Sequence, residues 1–178
     1  KTSVLAGMGV SNLSLLLNNT GIKTGYKYNL HYAPHIGMFK NHAGNDPIDQ
    51  LNFIADLGFT AFEDNDIRKR DISLQEKMAS TMIKRSLQMG VFVAHKIYWK
   101  EPNLTSGDMS SRKEFLDYIN KAISVAKRVN AKWMTVVPGH LDLRQDISYQ
   151  TANVIESLKQ ASNLLDPHGL IMVLEPLN

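Results

Sequence analysis

The chain of 178 residues is 43% hydrophobic and 21% charged, and it contains no cysteine. This composition is typical of a globular domain in water, and the absence of cysteine excludes disulfides, thiolate metal sites and cysteine nucleophiles. The formal net charge of +3 is a mild basic excess. The one compact basic run, Arg68 to Arg70, is typical of a solvated loop, with a phosphate contact as the alternative. We therefore expect neither nucleic acid nor a membrane as a partner.

The first 26 residues differ in character from the rest of the chain. They begin with Lys1 and continue with small and apolar residues that glycine and serine interrupt too often for a membrane span. The segment is similar to the lower part of a bacterial twin-arginine export signal that lacks its arginine pair, and a disordered leader is the alternative. We exclude residues 1–26 from the fold. A signal remnant predicts a bacterial periplasmic or exported protein, and a plain leader predicts a cytoplasmic one.

Residues 27–178 begin with a predicted strand, helix and second strand. The first strand is predicted at residues 28–34. The helix that follows starts at Pro47, because Asp46 is a favoured N-cap, proline is favoured at the first helical position and Gly58 follows the end. Residues 59–63 then predict the second strand.

The second helix and third strand follow the same pattern. Ser73 and Glu76 have the spacing of a capping box, which predicts a helix start at this point. The helix is expected to run to Met89 and to end at Gly90, since glycine accepts the left-handed backbone found after helices. Residues 91–96 predict the third strand.

Two further helix and strand pairs complete the chain. Ser111 and Glu114 form another capping-box spacing, and residues 132–138 predict the fourth strand. Asp146 is the expected cap of the fourth helix, and residues 170–174 predict a fifth strand buried on both faces. The predicted inward faces of these two helices are Phe115, Leu116, Ile119, Ala122, Ile123, Ala126 and Val129, then Val154, Ile155, Leu158, Ala161 and Leu165.

Alternating strands and helices predict an α/β fold with a parallel sheet and right-handed crossovers. A doubly wound sheet of five strands and a partial (β/α)8 TIM barrel, with its first five strands and four helices, both fit this order. No glycine-rich dinucleotide motif follows the first strand, which argues against a dinucleotide-binding fold. The barrel is favoured because polar residues follow the strand ends, where barrel enzymes build their sites. These residues are His31, His35, Glu63, His95, Lys96, His140 and Glu175.

Glu175 is the leading candidate for chemistry. A carboxylate placed directly after a buried strand is unfavourable unless it is paired, protonated or bound to a cation. A salt bridge or a helix cap on the barrel rim is the structural alternative.

The strand motifs resemble a known family. The ending VLEPLN, residues 173–178, resembles the fifth-strand motif of hydroxypyruvate isomerases in the xylose isomerase-like TIM barrel superfamily. LGFTAFE, residues 57–63, and GVFVAH, residues 90–95, are similar to strand junctions of the same superfamily, so the resemblance covers most of residues 27–178. It identifies the chain as the N-terminal part of a TIM barrel domain.

The resemblance implies an isomerase that acts on a small sugar or keto acid. Glu175 would ligate a divalent cation, Mg or Mn first and Co or Zn second, and would act as one of two acid–base carboxylates. The reaction moves a proton between adjacent carbons through an enediolate that the cation stabilises. The other ligands would come from the sixth to eighth strands, which have no counterpart here, so we expect this chain alone to be inactive.

Other residues near the strand ends are candidates for substrate binding. Three of them have a structural alternative: Glu63 could form an ion pair, His140 could be a solvent-exposed loop residue, and Trp99 could cover the edge of the core. The candidates are His31, Glu63, His95, Trp99 and His140.

Two choices among these candidates depend on strand geometry. Side chains alternate between the faces of a strand, so we expect His95 to face the barrel mouth while Ala94 and Lys96 face outward. A structural hydrogen bond to the backbone is the alternative for His95. His31 is preferred to His35 because it lies within the first predicted strand, where it is expected to face the interior.

Two other functions remain open. An endonuclease IV-like zinc phosphodiesterase would use His95, His140 and Glu175 as ligands, although no basic groove is evident. A non-catalytic, truncated barrel would leave strand edges unpaired, which favours a homo-oligomer.

Overall fold

The computed structural model describes residues 26–177. The export-signal prediction concerns residues 1–26 and lies, except for Tyr26, outside this range. In the described part no helix is long and apolar enough to cross a membrane. The elements in chain order are α1 (Lys40–Ala43), α2 (Pro47–Asp56), β1 (Ala61–Phe62), a 3-10 turn (Ile67–Lys69), α3 (Ile72–Arg85), β2 (Gln88–Met89), α4 (Met109–Val129), β3 (Trp133–Val136), α5 (Ile147–Leu165), a second 3-10 turn (Asp166–His168) and β4 (Ile171–Leu174).

The strands follow one another around a curved, all-parallel wall. β1 pairs with β2 and β3 pairs with β4. A single parallel bridge between His35 and Glu63 extends the series before β1. A second one, between Val93 and Thr135, joins the β1–β2 pair to the β3–β4 pair. Strand order in space therefore equals order in the chain, whereas a doubly wound sheet reverses at a switch point. The fold is a partial (β/α)8 barrel, and helices α2 to α5 pack in succession.

The first predicted strand is wrong as a strand. Residues 28–34 form no ladder, and the pairing is reduced to the bridge at His35. Pro34 has no N–H to donate, and the described segment has a neighbour on one side only. Its aromatic side chains instead pack locally: the ring of Tyr28 stacks on that of Phe59 with centroids 4.6 Å apart.

The boundaries of α3 differ from the prediction. The helix begins at Ile72, with Asp71 rather than Ser73 at the N-cap position, and it ends at Arg85 because Ser86 takes the left-handed conformation (φ 55°). Gly90 follows β2 and does not end a helix. A Cβ at Gly90 would lie 3.1 Å from the carbonyl oxygen of Phe62, so this glycine allows two strands to approach closely.

The N-cap of α4 also lies earlier than predicted. Asp108, not Ser111, is the N-cap, and its carboxylate accepts the backbone N–H of Ser111 at 2.8 Å. The predicted inward face of α4 is confirmed. Six of its residues are buried, and Leu116 is partly buried against the core.

The cap of α5 is confirmed, but part of its inward face is wrong. Asp146 accepts the backbone N–H groups of Ser148 and Tyr149 at 2.8 and 3.1 Å. Ala161 and Leu165 are buried and Val154 and Leu158 pack against the core, whereas Ile155 is exposed. Gln150 and Ser157 are buried in its place.

The fifth predicted strand exists as β4 but is not buried on both faces. Ile171, Val173 and Leu174 are all exposed. The reason is that β4 pairs with β3 on one side and has no strand on its other side within residues 26–177. The core lies instead between the helices and the earlier strands, around Phe62, Phe92 and other buried side chains.

Candidate functional site

The carboxyl ends of the later strands surround a cavity of about 680 Å³, which we call the rim cavity. Glu175 follows β4, Val137 follows β3, and His95 follows the Val93 bridge. All three residues therefore lie at the same end of the strands, where they line this cavity. The 3-10 turn after β1 adds charged residues from the other side. The rim cavity includes Arg68, Lys69, His95, Lys96, Trp99 and Glu175 in its lining.

Glu175 is held by its backbone and leaves its carboxylate unpaired. Its N–H donates to the carbonyl oxygen of Val136 at 3.0 Å, which extends the β3–β4 ladder by one residue. The carboxylate is exposed on the rim cavity and makes no hydrogen bond or ion pair with any residue between 26 and 177. The structural alternatives of a salt bridge and a helix cap are therefore not formed within that range.

His95 is a buried, neutral histidine with one ring nitrogen already engaged. It is 2% exposed, and its Nε2 accepts the backbone N–H of Val137 at 3.1 Å. The edge of its ring meets Phe115 at a centroid distance of 5.1 Å. Burial is the main cause that lowers the pKa of His95 to about 4; a backbone hydrogen bond with Lys96 opposes this shift, and the charge of Arg68 adds to it. The Nε2 lone pair is thus unavailable to a metal or substrate.

Trp99 connects the rim cavity to a second cavity that contains His140. Its exposed ring lines both, and the second cavity has a volume of about 690 Å³. The backbone of the His140 loop is held by Thr105, whose hydroxyl donates to the His140 carbonyl oxygen at 2.5 Å. Trp99 and His140 therefore lie on adjoining parts of the same rim.

Glu63 and His31 lie apart from Glu175. Glu63 lines another cavity, of about 670 Å³, whose wall contains Tyr28 and His35. His31 is exposed, and its Nδ1 is 2.8 Å from the hydroxyl of Thr60, directly before β1. The expectation that His31 faces the interior is wrong, because its segment forms no strand. The substrate-binding roles of both residues stay predictions.

Comparison with known families decides which fold family this rim belongs to. The profile of the family described as xylose isomerase-like TIM barrel matches residues 51–178, more than two thirds of the chain. The chain belongs to this family. A search of curated protein sequences gives no match.

Solved structures show the same fold at low sequence identity. The chain is similar to an AP endonuclease of family 2 from Brucella melitensis (TM-score 0.66, 19% identity, 82% of this chain and 55% of that one). It is also similar to 3-keto-D-glucoside 4-epimerase from E. coli (TM-score 0.66, 16% identity, 84% of this chain and 57% of that one). A third similar structure is D-allulose 3-epimerase from Methylomonas sp. in complex with D-allulose (TM-score 0.59, 16% identity, 84% of this chain and 52% of that one). The chain thus spans about half the length of these structures.

The described part of this xylose isomerase-like chain does not complete a metal site. Between residues 26 and 177, no group of three or more histidine, aspartate or glutamate residues is arranged to hold an ion. In the rim cavity, Asp66 is paired with Lys69 at 2.6 Å and the Nε2 of His95 is occupied, which leaves Glu175 as the one free carboxylate. One free ligand is too few for the carboxylate and histidine set that the resemblance implies.

The cations of the rim cavity were not predicted from the sequence. Arg68 was assigned to a solvated loop, yet its guanidinium lies over the ring of Tyr118, 4.7 Å from the centroid, and lines the cavity. Lys96 was expected to face outward with Ala94. Instead Ala94 is buried and Lys96 lines the cavity, because the chain bends after Val93 and strand alternation ends there. The basic run at 68–70 was the signal available in the sequence.

Proposed function

We propose that this chain carries half of the active site of a sugar or keto-acid isomerase, hydroxypyruvate isomerase-like, with Glu175 as the base. The observation that carries the proposal is the unpaired carboxylate of Glu175 on the rim cavity, at the carboxyl end of a barrel strand. In (β/α)8 enzymes this face holds the catalytic residues. The epimerases among the similar structures support a carbohydrate as the substrate.

The proposed chemistry is proton transfer next to a carbonyl group. A Glu175 oxygen takes the proton from the carbon beside the carbonyl, and the electron pair of the broken C–H bond forms the C=C bond of an enediolate while the carbonyl oxygen gains the negative charge. Return of a proton to the former carbonyl carbon gives the isomer, provided that the hydroxyl hydrogen on the deprotonated carbon passes to the former carbonyl oxygen. Return of the proton to the opposite face of the original carbon gives the epimer. Both reactions therefore begin with the same step.

The remaining parts of the site lie outside the described residues in this proposal. A second carboxylate would return the proton, and a divalent cation, Mg or Mn before Co or Zn, would need ligands beyond Glu175. No step above depends on that cation. The zinc phosphodiesterase is not favoured, because His95 has its Nε2 on Val137 and His140 lines a different cavity.

The first step can be tested by hydrogen exchange. The polypeptide encoded by the native reading frame, through its own stop codon, is incubated in D2O with D-fructose, D-allulose or hydroxypyruvate, with and without Mn²⁺. Proton NMR then follows the loss of the C–H signal beside the carbonyl. We expect exchange above the buffer rate, and a decrease of about 10²- to 10⁴-fold in Glu175→Gln, the range for a general base.

Glu156→Gln is the matched control, since Glu156 is exposed on α5 and lies outside the rim cavity. It should exchange at the wild-type rate. Wild-type exchange in Glu175→Gln would exclude Glu175 as the base. No exchange by the native polypeptide with any of the three compounds would favour the non-catalytic, truncated barrel.

A further inference from the structure

We infer that Arg68 and Lys96 form a binding site for an anionic group, a carboxylate or a phosphate, on the substrate of the rim cavity. The inference rests on the proposed function, since it concerns the substrate that Glu175 would deprotonate. It narrows the substrate class from sugars and keto acids in general to those that carry an anionic group: sugar phosphates, sugar acids and hydroxy-keto acids. Its ligand is defined by one chemistry, a group with two or more charged oxygens.

The charges around the rim cavity are not balanced within the described residues. Lys69 is neutralised by Asp66, with Nζ 2.6 Å from Oδ1. Arg68 lines the same cavity and has no carboxylate partner between residues 26 and 177. Lys96 is the third cation, and Glu175 is the unpaired anion. The cavity therefore keeps a net positive charge that an anionic ligand would compensate.

Arg68 has a hydrogen-bond donor that points to the same conclusion. Its Nε is buried and has no hydrogen-bond partner in the described part of the chain. A buried N–H without an acceptor is unfavourable, so an anion bound beside the guanidinium would stabilise the site if its oxygens reach Nε. The Nε–H and a terminal N–H of arginine form a planar fork that matches two oxygens of a carboxylate or phosphate.

The surrounding structure holds Arg68 in place before any ligand arrives. The turn that carries it is closed by a bidentate ion pair, in which Arg70 donates to both oxygens of Asp64 at 2.6 and 3.1 Å. Asp64 and Ile67 precede Arg68 and are fully buried, and Arg70, the partner of Asp64, follows it, so the turn is anchored on both sides of Arg68. The guanidinium itself stacks on Tyr118 of α4. A side chain ordered in this way loses little freedom on binding.

Lys96 is positioned by a chain of hydrogen bonds. Its Nζ donates to the hydroxyl of Tyr98 at 2.9 Å, and that hydroxyl donates to Glu114 at 2.6 Å. The bond to Tyr98 raises the pKa of Lys96, so the ammonium group stays charged. Two of its three N–H donors remain available for a ligand.

The test measures binding without catalysis, in three compounds that differ only at one end. Glycerol, D-glycerate and glycerol 3-phosphate have no aldehyde or ketone group and cannot undergo the proposed proton transfer. Isothermal titration calorimetry of the native polypeptide gives the Kd of each. We expect at least one anion to bind about 10-fold or more tightly than glycerol, and its affinity to fall with added NaCl. The tighter of the two anions identifies the group as carboxylate or phosphate.

Arg68→Gln should weaken binding of that anion by about 10- to 100-fold, the loss expected for a charged hydrogen bond. Arg144→Gln is the matched control, because Arg144 is exposed, lies outside the rim cavity and undergoes the same change of charge. If Arg68→Gln does not fold, as judged by circular dichroism, Lys96→Gln replaces it, since Lys96 is exposed. Equal affinity for glycerol and both anions, or wild-type anion affinity in the folded variant, overturns the inference.

Glu175→Gln separates this inference from the proposed function. Removing the negative charge of Glu175 should leave anion binding unchanged or make it tighter, while C–H exchange is lost. Suppose that neither the wild type nor any variant shows C–H exchange in D2O, but Arg68→Gln still binds the anion more weakly than the wild type. The isomerase proposal then fails and the anion site stands.

Discussion

The imidazole of His95 takes the place of a backbone carbonyl in the sheet. The N–H of Thr135 donates to Phe92, and Thr135 in turn accepts the N–H of Ala94. A continuing parallel ladder would next pair the N–H of Val137 with the carbonyl of Ala94. Instead that N–H donates to Nε2 of His95 at 3.1 Å. The side chain thus joins the two strand ends where the backbone ladder stops.

Replacing His95 by alanine should destabilise the fold. The N–H of Val137 would lose its acceptor in a buried position, at about 1–3 kcal/mol, and Phe115 would lose the ring that meets it edge-on. Urea unfolding followed by circular dichroism measures the change. His168→Ala, at an exposed position, should change the free energy of unfolding by less than about 0.5 kcal/mol. Equal stability of the two variants would contradict this role.

Stability should fall between pH 6.5 and pH 4 because of His95. Its pKa is lowered from 6.5 to about 4 by burial and by the charge of Arg68. As the pH falls, the unfolded chain binds the proton first, so the free energy of unfolding decreases by up to about 3 kcal/mol until the folded protein is protonated too. Above pH 6.5 this contribution is constant.

Carboxylates of the unfolded chain also take up protons as the pH falls toward 4, so the pH prediction for His95 is checked by difference. Subtracting the unfolding curve of His95→Gln from that of the wild type isolates the imidazole, and proton NMR of the ring reports its pKa directly. A His95 signal that titrates near pH 6.5 would show that the ring is not held neutral.

The buried ion pair of Asp64 and Arg70 should be important for the turn that carries Arg68. Arg70→Met leaves Asp64, which is fully buried, without its partner and should cost about 3–5 kcal/mol. Lys69→Met breaks the exposed pair with Asp66 in the same turn and should cost at most about 1 kcal/mol. Thermal unfolding of both variants gives the comparison, and similar losses would argue against a special role for the buried pair.

A polypeptide limited to residues 1–178 should self-associate through β4. This strand has one open edge in the described structure and an exposed apolar surface at Ile171, Val173 and Leu174. Sedimentation velocity over a range of concentrations should show dimers or larger species, and Val173→Lys should reduce them. Ile83→Lys, which removes an even more exposed apolar residue on α3, should not. A monomer at all concentrations would be the opposite result.

Local signals in the sequence predicted much of the fold. Asp46 and Asp146 were identified as helix caps because a cap involves residues two or three positions apart. The inward face of α4 followed from helical periodicity. Gly90 was misassigned because its role depends on the carbonyl of Phe62 in a neighbouring strand, a contact that a local pattern does not contain.

For the candidate site, too, features that depend on neighbours in the chain were predictable and those that depend on distant contacts were not. The sequence by itself determined the alternation of strands and helices and the position of Glu175 at a strand end, since both depend on neighbours in the chain. Only the tertiary structure decided that Arg68 lies on Tyr118 and that His95 bonds to Val137, pairs separated by 50 and 42 residues. Such pairs form because the closing wall brings strand ends together, and charge, burial and ring-nitrogen availability follow from that packing.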